Sequence, residues 1–226
     1  MVFGRKAKWA ASAVLAQLIF LSALLYSSPS FAVSAEEFYK NALAVNGINA
    51  FAATCQSAHE TGFWTSYLWK SARNGAGIKA DKNWRKSGRP SIKKSSREEV
   101  KGREVYRYSY FRVYSSLGEF LQDYRAKIVR DYPLAAKNSD TMWGYFSSLQ
   151  KGRLGSWATT QSYFEHMADK AVRLAPKLLG VEWRAQMLSE YKQARAKGLL
   201  SQKEIKIVEK KLASAGISVS QKKPIK

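Results

Sequence analysis

The sequence predicts a mostly helical protein with one small β-hairpin, an α+β arrangement. Three observations predict it. Apolar residues recur at three- and four-residue steps through most of the chain, and Gly or Pro interrupts those runs about once per helix length. A single stretch, 105–114, alternates in the manner of a strand. Of the 226 residues 46% are hydrophobic and 24% charged, so there is apolar mass for a core and too much of it for a disordered chain.

The chain opens on a targeting pattern. Arg5, Lys6 and Lys8 precede eighteen uncharged residues, 9–26, and small Ser30 and Ala32 favour a cut after Ala32. Residues 1–32 therefore read as a signal peptide. The apolar run approaches the length of a membrane span, so an uncleaved signal anchor is the alternative. Either way the remainder is expected outside the cytoplasm, in the periplasm or cell envelope.

Ser34 can cap a helix opening Ala35-Glu36-Glu37, since acidic residues suit a first turn. Asn46-Gly47 breaks it, a second helix fits 48–59 or 48–60, and a further turn or two fits 64–72. Gly75, Gly77, Gly88 and Pro90 among many Lys and Arg mark 73–97 as loop. The hairpin follows, with arms 92–100 and 105–114 about a Lys101-Gly102 turn, and Tyr106, Tyr108 and Tyr110 sharing a face with Arg112. Phe120, Leu121, Tyr124 and Ile128 define a helix over 117–132 that Pro133 ends. Further helices fit 139–150, 160–174, 181–197 and 201–214, with Gly198 and Gly216 as stops. The expected organisation is a domain over 33–176 and a basic helical extension over 177–226, suited to wall, membrane or assembly contact.

Thirty-eight basic against seventeen acidic residues give a net charge of +21, which calls for an anionic partner. Between 70 and 112 the count is fourteen Lys or Arg to four Asp or Glu. Basic residues interleaved with aromatics would also suit nucleic acid. Export and the lack of a nucleic-acid motif argue against it. The lone cysteine, Cys55, permits no disulfide within the chain, and with His59 and His166 it is too little for a Cys/His zinc site. No EF-hand or HExxH spacing occurs, and no metal or cofactor is expected.

Glu60 is the candidate for chemistry. It ends the second helix in Ala58-His59-Glu60-Thr61-Gly62-Phe63-Trp64, beside aromatic residues and a glycine turn. Partial enclosure disfavours the charged carboxylate, so such a group can hold a proton near neutral pH and deliver it.

The motif has companions. Gln56-Ser57-Ala58-His59-Glu60-Thr61-Gly62-Phe63-Trp64 is followed by Asn74-Gly75-Ala76-Gly77-Ile78-Lys79-Ala80-Asp81, then Phe111-Arg112-Val113-Tyr114-Ser115-Ser116, then Asp123-Tyr124. In order and spacing, from about 36 to 174, this resembles the glucosaminidase family of peptidoglycan hydrolases, which includes autolysins and flagellar rod-cap hydrolases. The resemblance implies a lysozyme-like fold with Glu60 as proton donor. It also implies a second carboxylate on the hairpin. Counting from Gly102 and from Phe111 selects Glu98, with Glu99 as the neighbouring rival and Glu104 further from the pattern. Trp64, Asn74, Lys79, Tyr108 and Trp157 are the substrate-binding positions so implied.

Two departures stand out. Gly75-Ala76 replaces the family's Leu-Phe, which removes an apolar wall and is expected to loosen the loop. Gly155-Ser156-Trp157-Ala158-Thr159-Thr160 replaces a Tyr-bearing segment, and Trp157 could stack on a sugar. The expected activity is N-acetylglucosaminidase cleavage of β-1,4 bonds in peptidoglycan strands. The alternatives are a lytic transglycosylase, since Glu-Thr-Gly-Phe resembles that group's Glu-Ser-Gly-Phe, and a non-catalytic wall-binding part of an envelope-spanning machine such as a flagellum or secretion system.

Overall fold

The computed structural model describes residues 33–100 and 103–219, with the side chains of 96–100 and 103 outside that description. The signal segment, the Lys101-Gly102 turn and the side chains of Glu98 and Glu99 therefore lie outside the described residues. These residues belong to one compact unit. Its elements are α1 (Ala35–Leu43), α2 (Ala50–Thr61), α3 (Tyr67–Ala72), α4 (Lys82–Lys86), β1 (Ser91–Val100), β2 (Arg103–Arg112), α5 (Leu117–Asp131), α6 (Pro133–Lys137), α7 (Met142–Leu149), α8 (Tyr163–Leu178), α9 (Trp183–Ala196) and α10 (Gln202–Ser214). The architecture is α+β and mostly helical, as the sequence predicts. Among the described residues no helix is long and apolar enough to cross a membrane.

The helices form where the caps allow. Ser34, Asn49, Ser66, Asp81, Ser116, Thr141 and Ser201 each accept a backbone N–H in the first turn of α1, α2, α3, α4, α5, α7 and α10. Two elements differ from expectation. Helix α4 lies inside the stretch read as loop; it is only one turn long and rests on its cap, Asp81 accepting from Trp84 N at 2.8 Å. Pro133 both follows α5 and opens α6, because proline lacks only an N–H that a first turn would leave unpaired.

Helix α2 is buried along almost its whole length, and α1, α7 and α8 surround it. Trp183, Met187, Tyr191 and Ala194 of α9 and Val208 and Leu212 of α10 bury into the same apolar cluster. Trp143 of α7 donates its indole N–H to Met187 O (3.2 Å), and Ser147 donates to Leu199 O (3.0 Å). The segment after 176 thus spends its apolar face on the helical body.

The hairpin is the outlying element. Strands β1 and β2 pair antiparallel from Ser91 opposite Arg112 to Val100 opposite Arg103. Its stem is joined to the body: Arg112 N donates to Ile78 O (3.0 Å), Ala80 N to Tyr110 O (2.7 Å) and Tyr114 N to Ala72 O (2.9 Å). Arg112, 6% exposed, binds Asp123 through two bonds of 2.8 and 2.9 Å and Asp81 through one of 2.9 Å. Its guanidinium lies 4.3 Å from the Trp84 ring centre, and Tyr114 Oη donates to Asp123 at 2.7 Å. The Phe-Arg-x-Tyr and Asp-Tyr motifs are thus a clamp between hairpin, α4 and α5.

Candidate active site

Helix α2 stops at Thr61 and the chain reverses through three left-handed residues, Gly62 (φ 57°), Phe63 (58°) and Trp64 (60°). The two non-glycine positions cost on the order of 1–3 kcal/mol each and need outside support. Thr61 Oγ1 accepts from Trp64 N (2.8 Å) and donates to Ser57 O (2.6 Å), and Trp64 Nε1 donates to Ser57 Oγ (2.9 Å). Trp64 is buried and stacked on Phe38 at 5.3 Å. Trp64 therefore bolts the turn behind Glu60 and is not part of the wall of the cavity that Glu60 lines.

Glu60 projects from this turn into a cavity of about 940 Å³. Its side chain is open to the cavity, while protein surrounds it on the other sides. Trp157 Nε1 donates to its Oε1 at 3.0 Å and Tyr163 Oη at 3.4 Å. A chain of buried groups continues beneath. Gln56 Nε2 donates to Tyr163 Oη (2.8 Å), Tyr124 Oη donates to Gln56 Oε1, and Tyr145 Oη lies 2.9 Å from Tyr124 Oη. Enclosure raises the Glu60 pKa, and the Trp157 and Tyr163 donors oppose that by favouring the charged form.

The cavity wall is mixed in charge. Lys79, Arg112, Lys127 and Arg130 line it together with Asp81 and Asp131. Arg130 first, then Lys127, holds the Asp131 carboxyl at about 2, so it stays ionised and paired. The Asp81 carboxyl is also held low, chiefly by the Trp84 N–H and then by Arg112. Among the described residues no group of three His, Cys, Asp or Glu could hold a metal ion.

Of the positions singled out from sequence, Glu60, Lys79 and Trp157 meet at the cavity. Asn74 is buried below it: its amide donates to Ile78 O (2.9 Å) and Arg112 O (3.0 Å), and its carbonyl accepts from Ile78 N (2.8 Å). Those bonds fix the loop that was expected to loosen. Gly75 fits there because a Cβ would come within 2.9 Å of Phe120 and 2.6 Å of Ser57 Oγ, leaving no room for the family's leucine. Tyr108 stands on the hairpin, 72% exposed and away from the cavity lining. Glu98 pairs with Val105, six strand residues beyond cavity-lining Phe111, or about 20 Å along the strand.

Sequence reasoning passed over Tyr163, Tyr132, Lys127 and Arg130. Gln56 stands one helical turn before Glu60, a spacing that places both on one face. Nothing in the local sequence marks Tyr163, about a hundred residues away.

An acid at the floor of a cleft, between a helical body and a β-hairpin, defines the lysozyme-like class of glycoside hydrolases. A sequence model of the glucosaminidase family (mannosyl-glycoprotein endo-beta-N-acetylglucosaminidase) matches residues 36–175, more than half the chain, and the chain belongs to that family. Two solved structures share the fold. A mutant peptidoglycan hydrolase from Sphingomonas sp. A1 is 24% identical, with a TM-score of 0.51 over 70% of this chain and 97% of its own. The catalytic domain of the autolysin Auto from Listeria monocytogenes is 20% identical, with a TM-score of 0.51 over 76% of this chain and 96% of its own. No curated protein matches the chain by sequence.

Proposed function

We propose that the protein is an exported peptidoglycan N-acetylglucosaminidase in which Glu60 is the general acid, cutting the β-1,4 bond on the reducing side of N-acetylglucosamine. The observation that carries this is the asymmetry of the Glu60 carboxyl. Two donors converge on Oε1, so the proton is best held on Oε2, the oxygen free to meet a glycosidic oxygen in the cavity. Enclosure keeps that proton bound to a higher pH than an ordinary glutamate would. Lys79, Lys127 and Arg130 on the wall suit stem-peptide carboxylates of the substrate. Trp157 lines the same cavity and serves as a donor to Glu60.

Glu98 is the proposed second carboxylate, acting on water or on the developing cation. Its backbone position requires the hairpin to bend toward the body when a strand is bound. The same distance favours a second reading, a lytic transglycosylase, which needs one acid/base group and no hydrolytic water. Mass spectrometry of fragments released from purified sacculi separates them. Reducing N-acetylglucosamine ends support hydrolysis, anhydro-muramic ends support transglycosylation, and no release removes both.

The catalytic part is proposed to span 33–176, buttressed by the helices after it. Its proposed place is the cell envelope, where an envelope-spanning machine needs such an opening in the wall. N-terminal sequencing of the exported protein tests the leader: a start near Val33 means a cleaved signal, and retention of residues 1–26 means an anchor.

A further inference from the structure

The hairpin carries a surface that the chemistry at Glu60 does not use. Tyr106, Tyr108 and Tyr110 occupy alternate positions of β2 and so share one side of the sheet. They are 75%, 72% and 38% exposed. Across from Tyr108 stands Ser95, and across from Tyr110 stands Lys93. The Lys93 ammonium lies 5.0 Å from the Tyr108 ring centre, and the Arg85 guanidinium 4.7 Å from that of Tyr110. On the same side of the sheet the next residue is Arg112, which lines the Glu60 cavity. The row of rings therefore begins at the cavity wall and runs outward for about 13 Å.

We infer that this tyrosine row is an accessory platform for the glycan strand, holding the sugars that extend past the cavity and making the enzyme prefer long strands. The inference rests on the peptidoglycan reading above. Pyranose rings present C–H faces that fit an aromatic face, and their hydroxyl, acetamide and carboxylate groups fit the flanking hydroxyls and cations. The rings stand in single file about 7 Å apart, which suits a linear polymer better than a broad protein surface. Acyl chains fit poorly, because Ser91, Lys93 and Ser95 stand on this side of β1.

The test uses the full chain carrying Glu60→Gln, with binding measured to a tetrasaccharide and to glycan strands of increasing length. Affinity is expected to rise with strand length. Adding Tyr106→Ser and Tyr108→Ser is expected to remove that rise and weaken long-strand binding about tenfold. Near-ultraviolet circular dichroism checks that the double variant is folded, and Tyr106→Ser alone should give a smaller loss in the same direction. A length dependence that survives both variants overturns the inference. So does loss of binding to anionic phospholipid vesicles with an unchanged glycan series, which would make the row a membrane contact. Strands that shorten during incubation would show that Glu60 is not the acid, and that failure is read from strand length instead of from affinity.

Discussion

Glu60 and Tyr108 both face solvent, yet what lies beneath them differs. Under Glu60 run Tyr163, Gln56, Tyr124 and Tyr145, all buried, each meeting the next by a hydrogen bond. Tyr108 stands on a sheet of two strands, and a two-stranded ribbon is marginal alone. The floor fixes where a proton sits, because an unsatisfied buried group there costs on the order of 1–3 kcal/mol. On the lip Tyr106 and Tyr108 stand mostly in water, so the fold constrains their identity little. Position in the floor is decided by chemistry; position on the lip is decided by reach.

The floor gives the largest expected effect. Glu60→Gln keeps the shape and the two donors but cannot release a proton, so turnover on sacculi should fall about a thousandfold or more, with sacculus binding retained. Stability should move the other way. A carboxyl whose pKa is raised by folding helps the folded state below its unfolded pKa and loses that help as pH rises through the folded value. The variant should therefore melt above the parent at pH 8, with the difference shrinking toward pH 4. Equal turnover in parent and variant would remove Glu60 from the reaction.

The joint between the two regions comes next. Arg112→Met removes the buried cation and leaves Asp123, with its Tyr114 bond, and Asp81 unbalanced. Breaking a buried pair from one side costs about 3 kcal/mol, measurable in a denaturant titration. If stability is unchanged, the clamp does not hold the hairpin to the body.

The same contrast explains what could be read from sequence. Helices with wide apolar faces and good caps, α1, α2 and α5, were legible because periodicity and capping agree there. Helix α4 was not, because five residues of Lys, Asn, Trp and Arg carry no period, and the turn rests on its Asp81 cap and on tertiary contacts of Trp84 with Pro90, Tyr114 and Arg112. Glu60 was legible as a candidate in the Glu-Thr-Gly-Phe turn and does line the cavity, but its setting was not legible. Tyr163 reaches Glu60 only once α8 packs on α2, and the motif residues Trp64 and Asn74 turned out to be internal fastenings. A motif records which residues must be present, without separating those that touch substrate from those that hold the ones that do.

The lip should give an intermediate effect. Glu98 and Glu99 are neighbours on β1, paired with Val105 and Glu104, so they alternate in face. Glu98→Gln is expected to lower turnover by about tenfold or more, and Glu99→Gln to change only salt-dependent wall binding. Both should be assayed on glycan fragments at matched ionic strength. Damage from Glu99→Gln instead would mean that the register is one residue off. Silence from both, with Glu60→Gln inactive, would leave a single-acid mechanism.

The smallest expected effect is the most specific to the floor. Trp157 and Tyr163 both donate to Glu60 Oε1, and both stabilise the charged carboxylate against the enclosure that raises its pKa. Removing either donor removes an interaction that only favours ionisation, so the Glu60 pKa should rise further. A general acid works while protonated, and kcat/KM falls as pH passes its pKa. Trp157→Phe and Tyr163→Phe should therefore move the alkaline limb of the pH profile to higher pH. Trp157→Phe should move it further, because its bond is 3.0 Å against 3.4 Å. Loss of ring packing would lower the whole profile without moving the limb, so the two causes part in one experiment. A limb that moves to lower pH in either variant would mean that the enclosure of Glu60, and not its donors, sets the proton.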